Sequence, residues 1–591
     1  MSTEIQDGCK LAAAARRAFA IVLLPLAVLW FGGLEYRGLF QPDEGRYAEI
    51  PREMLESGDW VTPRLNGLKY FEKPPLQYWV TALSFAAFGE DELPARLWPA
   101  MTGFLGILLL VFTGNRLGPP GTGHLAGLIV AGSLGYFFAA QYLTLDMALT
   151  FFLTGGLCAF LLAQRETQPS RARRGWMLAA WASAACAVMT KGLVGVVLPG
   201  MALTAYALAR RDWSLVGRLE WRWGLALFSA IVLPWHVMVQ WRNPEFSSFY
   251  FVHEHFARYL LPAHNRPGAW WYFIVILLLT ALPWTIVLPG VFKRSLTRSR
   301  AHRAFDPDTL LLAWVAVILV FFSLSQSKLP AYILPVVPAL ALLIARDTAL
   351  RGKFDGTWPS LVLALAGAAA LEIGMPRLMR AMAIEDLVFA FFPWFIAGTV
   401  VLVAGGLLAW RMRADRIAFR IATLALATVL GGQILLSGLH PMDDRFSAET
   451  FAERLLGDDF AFAPGAPFYS IGFFDESLSF YLGRTFTLVS YKGELGPGIE
   501  AESGKYVESL EEFKQRWVAS DDAYAAMPPR QYAALKAEGL PMRLLGEDPK
   551  RVVVSRSRED PPRRAKNPGW LFWWLQPPAG AAASARFAPA A

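Results

Sequence analysis

The residues best equipped for chemistry gather in one polar stretch, Gln41–Tyr78, which reads QPDEGRYAEIPREMLESGDWVTPRLNGLKYFEKPPLQY. Asp43, Arg46 and Tyr47 fall at i, i+3 and i+4, so a helix puts them on one face, with Glu44 pointing away. A carboxylate, a guanidinium and a phenol on one face suit a substrate that is both polar and phosphorylated. The competing reading is a solvated helix start, with Asp43 or Glu44 favoured at the positive helix end. In the run Lys69–Pro75, an extended backbone puts Tyr70 and Glu72 on one side and Lys69, Phe71 and Lys73 on the other. A lysine before proline is held in a narrow backbone range, which suits Lys73 to a fixed phosphate contact. Interfacial anchoring by Lys and Tyr competes with that role.

Other candidates lie at the ends of apolar runs. Asp146 is a lone carboxylate in apolar surroundings, either functional or a helix cap. Lys191 reads as a phosphate contact or a helix-end lysine. Lys328 and Tyr332, in SQSKLPAY, head another run, where phosphate or lipid contact competes with anchoring. His253 and His255 are too close in sequence to share a helical face, so a metal site there needs Glu72 or another carboxylate to approach.

The elements that must position these residues are apolar helices. The chain has 591 residues, 55% hydrophobic and 18% charged. Its apolar runs are long enough to cross ~30 Å of hydrocarbon. They fall at Ala18–Gly33, Pro94–Thr113, Leu125–Leu143, Met147–Ala163, Trp176–Met189, Val194–Leu208 and Trp223–Val239. Trp271–Val291, Leu310–Phe322, Ala331–Ile344, Leu361–Ile373, Val388–Trp410 and Ile421–Leu436 follow, thirteen spans in all. Lys10, Arg16 and Arg17 put the N-terminus inside, and nearly every loop then assigned inside is basic. Gln41–Tyr78 and everything after about His440 are therefore expected outside. The net charge of +8 is distributed by topology, which gives no reason to invoke nucleic acid. Cys9, Cys158 and Cys186 sit in the N-terminal tail and apolar runs, so no disulfide framework is expected. Ala18–Gly33 reads as a retained first span.

Asp43–Leu55 has the spacing of a short interfacial helix, and Leu76–Phe88 is expected to lie along the surface. Pro467–Ile471, Phe486–Tyr491 and Arg551–Ser555 read as strands, with a helix at Asp475–Tyr481. The expected organisation is a transmembrane domain over 1–438 that includes the first loop, 34–78. An α/β domain follows over 439–558, and then a tail over 559–591. Charges gather at span ends, not mid-span, and no internal repeat is evident. That favours an enzyme over a lipid transporter or flippase.

PDEGRYAEIPREML followed by TPRLNGLKYFEKPPLQYW resembles the first outer loop of the ArnT-like lipid A glycosyltransferases, GT-C membrane enzymes related to protein mannosyltransferases. LTLDM, TKGLVG and SKLPAYILP are similar to further signatures of that family. The resemblance implies an all-α transmembrane GT-C fold of about thirteen helices in the bacterial inner membrane, with a periplasmic C-terminal α/β domain. It implies transfer of 4-amino-4-deoxy-L-arabinose from undecaprenyl phosphate to a lipid A phosphate. Asp43 and Asp146 would then line the catalytic cavity. Arg46, Tyr47, Tyr70, Lys73 and Tyr332 would surround the donor phosphate and sugar. Glu44, Lys69, Lys191 and Lys328 complete the candidate substrate contacts, and one divalent cation is implied near Glu72 with His253. Other members of the fold move galactosamine or hexose to lipid A, or mannose to protein, and these remain the alternatives.

Overall fold

The computed structural model describes residues 2–166, 168, 170–250, 268–301, 305–356, 385–457, 460 and 462–557. Among them seven helices are long and apolar enough to span a membrane, and two further helix pairs pass the same test as bent spans. This is a multi-pass membrane protein. The helices that frame the first loop are α1 (Ser2–Phe31), α2 (Asp43–Ser57), α3 (Leu76–Phe88) and α4 (Glu92–Leu117). Then come α5 (Thr122–Ala131), α6 (Leu134–Ala140), α7 (Leu145–Arg165), α8 (Arg171–Lys191) and α9 (Val194–Arg210).

Two of the expected spans are not single rods. Leu125–Leu143 is divided into α5 and α6, which meet at 67°. A Cβ at Gly132, in the break, would stand 2.5 Å from the Cα of Ala425, so the chain turns where another helix presses on it. Trp271–Val291 is bent by 112° between Tyr272–Thr280 and Trp284–Arg298. Pro283, in the bend, has no N–H to donate, and the residue before it is pushed out of the helical region. Leu361–Ile373 and the tail over 559–591 lie outside the described residues. At the bundle end remote from the first loop, Asp308 and Asp347 are each 1% exposed. Asp347 takes Arg294, Arg298 and Arg351, and Asp308 takes Arg298 and Arg346. Buried carboxylates in a membrane protein persist when paired in this way.

The C-terminal region holds a six-stranded sheet. With a short hairpin in the first loop counted as β1 (Arg64–Leu65) and β2 (Leu68–Lys69), the sheet strands are β3 (Phe468–Ile471), β4 (Thr487–Val489), β5 (Tyr506–Val507), β6 (Tyr524–Met527), β7 (Arg543–Glu547) and β8 (Val552–Ser555). Their order is β5-β4-β3-β6-β8-β7. The first four neighbours run parallel, and β8 is antiparallel to both β6 and β7. The helix Glu476–Leu482 crosses between β3 and β4.

One carboxylate ties the loop end of the bundle together. Glu44, in the first turn of α2, is completely buried. It accepts from Arg37 Nη1 at 2.5 Å, from Arg96 Nε at 2.8 Å and from Arg96 Nη2 at 2.9 Å. The backbone N–H groups of Leu143 and Phe40 donate to it at 2.9 and 3.1 Å. Arg96 also donates to the carbonyls of Leu34, Arg37 and Gly38, and Arg37 to that of Gln141. The end of α1, the start of α2, the start of α4 and the loop before α7 thus meet at one anion. Burial works against its charge, but Arg37 and Arg96 outweigh burial and hold its pKa at about 2. The expectation that Glu44 contacts substrate is therefore corrected. It has no exposed surface, and its oxygens are filled by the fold.

Glu44→Gln should leave two buried guanidiniums without their counter-charge and cost ~3–5 kcal/mol. Melting of the detergent-purified variant should show a clear fall in midpoint. The folded carboxyl lies below its usual value of 4.5, so its contribution is complete above that pH and fades only as pH falls toward about 2. Melting of the wild type between about pH 5 and 8 should not move through this group.

Candidate functional site

The face of α2 next to Glu44 carries Asp43, Arg46 and Tyr47. The Arg46 guanidinium is nearly buried and lies between Asp43 at 3.5 Å and Glu494, from the C-terminal region, at 2.5 Å. Tyr47 stacks on Tyr78, with ring centroids 6.2 Å apart. Tyr70 is 3% exposed, and its hydroxyl has no hydrogen-bond partner among the described residues. Burial holds both phenols, Tyr47 and Tyr70, well above the usual range, so each is a neutral donor at any ordinary pH. Lys73 Nζ lies 3.0 Å from the Glu72 carbonyl and 3.7 Å from its carboxylate. The β1–β2 hairpin directs Lys69 elsewhere, to Glu245 at 2.8 Å and Glu502 at 4.0 Å.

The C-terminal region completes this group. A Cβ at Gly45 would sit 2.6 Å from the Ser477 nitrogen, so only glycine lets α2 approach the helix Glu476–Leu482 this closely. Ser477 Oγ donates to the Leu39 carbonyl, Ser479 Oγ to Glu49, and Gln41 Nε2 to Asp475. Asn66 exchanges two bonds with the Phe486 backbone. This seam brings Glu494 and Glu476 to Arg46. Burial pushes the Glu476 carboxyl up to about 8, against the pull of Arg46. Neither glutamate is a candidate from sequence alone. Each lies more than 400 residues from Arg46, in a region whose local pattern gives strands and helices but no partner. Gly45 and Asn66, inside the family-like motif, are the only signals of a docking surface.

A second group forms across helix ends. Asp146 is in the first turn of α7, and Lys191 ends α8. Their side chains meet at 2.5 Å. Lys191 Nζ also stands 5.0 Å from the ring centroid of Tyr332, which sits in the turn Pro330–Ile333. Lys328 has a different place. It is 9% exposed and donates to the carbonyls of Ser323 and Ser325 at 2.9 and 2.7 Å, closing the end of the helix Pro307–Leu324. Its ammonium is engaged by those carbonyls. The two groups are joined through Glu44. Leu143, bonded to that carboxylate, precedes Asp146 by three residues, which extended chain spans in about 11 Å. Tyr142 lies 5.3 Å from the Arg37 guanidinium and feels the charge of Asp43. His253 lies outside the described residues. Among those described, no three His, Cys, Asp or Glu side chains converge as metal ligands.

A chain with this arrangement matches known proteins along most of its length. Residues 16–250 match the family model of dolichyl-phosphate-mannose-protein mannosyltransferase, and 459–556 match the aminoarabinose transferase C-terminal domain. The undecaprenyl phosphate-alpha-4-amino-4-deoxy-L-arabinose arabinosyl transferase of Pseudomonas paraeruginosa is 31% identical over 545 residues, covering 87% of this chain and 92% of that one. The chain belongs to this arabinosyl transferase family. A relative of the same name from Enterobacter sp. is 36% identical over 331 residues, 55% of this chain and 58% of its own. The crystal structure of ArnT from Cupriavidus metallidurans bound to undecaprenyl phosphate superposes with a TM-score of 0.85 at 36% identity, covering 91% of this chain and 98% of that one. The expected GT-C fold is thereby borne out. Both family models fall on the site, since the first contains Arg46 and the second contains Glu494.

The Asp146–Lys191 pair is testable by a double-mutant cycle. Lys191→Met should destabilise the protein more than Lys191→Met combined with Asp146→Asn, because the single change strands a largely buried carboxylate. Thermal melts of the three variants in one detergent give the ordering.

Proposed function

We propose that the protein is an integral-membrane glycosyltransferase. It moves 4-amino-4-deoxy-L-arabinose from undecaprenyl phosphate to a lipid A phosphate, on the outer side of the bacterial inner membrane. The observation that carries this reading is the convergence of Arg46 with Asp43, Tyr47 and Tyr70 on one loop face, in a chain that aligns with nearly all of an ArnT structure bound to undecaprenyl phosphate. The orientation follows from charge. Lys10, Arg16 and Arg17 precede the first span, and the cluster around Asp308 and Asp347 lies at the bundle end remote from the first loop. Basic ends face the cytoplasm.

A glycosyl phosphate leaves readily once its charge is neutralised. Arg46 and Lys73 supply charge-assisted hydrogen bonds that strengthen as the bridging oxygen becomes anionic. The neutral phenols of Tyr47 and Tyr70 donate without adding charge. A lipid A phosphate is already an anionic nucleophile, so no strong general base is needed. Asp43, partly exposed, orients the acceptor or meets the sugar's ammonium. In-line attack inverts the sugar carbon. Glu72 and His253 are the residues that would hold a divalent cation, which would add positive charge beside the donor phosphate; the steps above run through the chain's own side chains.

Asp43→Asn and Lys73→Ala should each lower transfer by at least ~100-fold. Asp43→Asn should leave melting within ~1 kcal/mol of the wild type, the scale of an exposed helix-end charge. Mass spectrometry of lipid A from cells with and without the protein identifies the sugar. An aminopentose-sized addition on phosphate is expected, and a hexose- or galactosamine-sized one would instead assign the same fold to another donor.

A further inference from the structure

A pocket of about 280 Å³ lies between α7, α8, α9 and the helix Pro307–Leu324. Every residue lining it is apolar or aromatic. It sits toward the basic end of the bundle. Leu310, two residues beyond the buried Asp308, is part of its wall. So are Leu219 and Trp221, from the connection between α9 and the helix Trp221–Arg242. Trp181 Nε1 donates to the Leu219 carbonyl at 2.8 Å, and its ring meets that of Trp221 edge-on, with centroids 5.4 Å apart. Only glycine fits at 224, because a Cβ there would collide with the Trp181 indole. Trp221 both lines the pocket and is exposed, so the pocket opens at this end. Gly156, in its α7 wall, is ten residues beyond Asp146, ~15 Å along a helix.

The mouth is surrounded by charge of one sign. The connections 165–174 and 210–222 hold eight arginines against three carboxylates. Arg174 reaches Glu220 at 3.5 Å and Arg218 reaches Gln164 at 3.2 Å, so the two connections meet beside Leu219 and Trp221. Arg222 stands 5.5 Å from the Trp223 ring centroid, and Trp213, Trp221 and Trp223 are all exposed. Indole marks the level where hydrocarbon gives way to headgroups. Basic connections also orient a membrane protein, but orientation requires no apolar pocket beneath them. An apolar slot under a belt of indole and guanidinium matches a lipid with a hydrocarbon chain and an anionic head. Its volume is below the roughly 300–1,000 Å³ of pockets that enclose whole small molecules, so it takes part of one chain.

We propose that this pocket binds an anionic phospholipid of the adjoining leaflet, with part of one acyl chain between α7, α8 and α9 and the phosphodiester on Arg174 and Arg222. The polyprenyl chain of the donor has the same polarity, but its phosphate is read above as sitting at the other end of α7, with Asp146. α7 and α8 carry Asp146 and Lys191 at their far ends, so a chain wedged between these helices braces that pair. The site is separate from sugar transfer and holds whichever sugar is moved.

The test is native mass spectrometry of the full-length, delipidated protein, titrated with dioleoyl phosphatidylglycerol or dioleoyl phosphatidylcholine. The wild type should hold one phosphatidylglycerol at least ~10-fold more tightly than phosphatidylcholine. Arg174→Gln combined with Arg222→Gln should weaken phosphatidylglycerol binding by about 10- to 30-fold and erase the preference. Gly200 lines the pocket, and a Cβ there meets nothing within 4 Å, so Gly200→Leu should fill the space and lose the bound lipid. Equal affinity of the wild type for the two lipids, or unchanged binding in either variant, would overturn the proposal. So would displacement of the phosphatidylglycerol by equimolar undecaprenyl phosphate, which would give the pocket to the polyprenyl chain. If Gly200→Leu does not fold, the lipid preference of the wild type and its loss in the arginine variant still decide the matter.

Discussion

The Glu44 carboxylate, held between Arg37 and Arg96, is the interaction on which the loop end of this molecule depends. An anion with no exposed surface is tolerable only when it is fully paired and hydrogen-bonded, and here six N–H donors meet it. Those donors come from three pieces of chain, the link between α1 and α2, the start of α4 and the approach to α7, and the acceptor itself opens α2. The energetic need to satisfy one charge therefore sets the positions of α1, α2, α4 and the approach to α7. Asp43 and Arg46 stand beside it on the same helix, with Arg46 facing the C-terminal region, so their aim is inherited from the clasp behind them. The arrangement separates two settings that the motif writes side by side, with Glu44 enclosed in the clasp and Asp43 left partly exposed beside Arg46.

The C-terminal region is the second constraint. Gly45 permits backbone contact with Ser477, and Asn66 adds itself to the hydrogen bonding of Phe486. Arg46 is consequently held between a carboxylate of its own helix and one from far along the chain. Such a guanidinium is positioned but can exchange partners, which is what a phosphate-binding group in a low-dielectric site requires. The remote end of the bundle shows the opposite design. Asp347 and Asp308 lie deep among four arginines of the same bundle end, Arg294, Arg298, Arg346 and Arg351.

Much of this was legible before any coordinates. The helix read over Asp43–Leu55 is Asp43–Ser57, because the polar and apolar spacing there is unambiguous. The strands at 468–471, 487–489 and 552–555 fall inside the stretches expected for them. Others were hidden for physical reasons. Tyr524–Met527 reads YAAM, whose alanines carry little strand preference, and Tyr506–Val507 is too short to show alternation. A continuous apolar run does not record a bend, so Leu125–Leu143 gave no warning of its break at Gly132. The clasp around Glu44 leaves no local trace, because its partner Arg96 is 52 residues away and no local pattern reports a pairing at that separation. The pairing of Arg46 with Glu494 is hidden for the same reason over a greater distance.

The central claim is that the clasp brings Asp43 and Asp146 into one site that opens to the outer side of the membrane. A short, membrane-impermeant bis-maleimide tests it directly in intact spheroplasts carrying Asp43→Cys and Asp146→Cys, in a background without Cys9, Cys158 and Cys186. The account predicts an intramolecular cross-link between the two positions without permeabilisation. Reaction only after the membrane is opened, or modification of both cysteines with no cross-link, would contradict it.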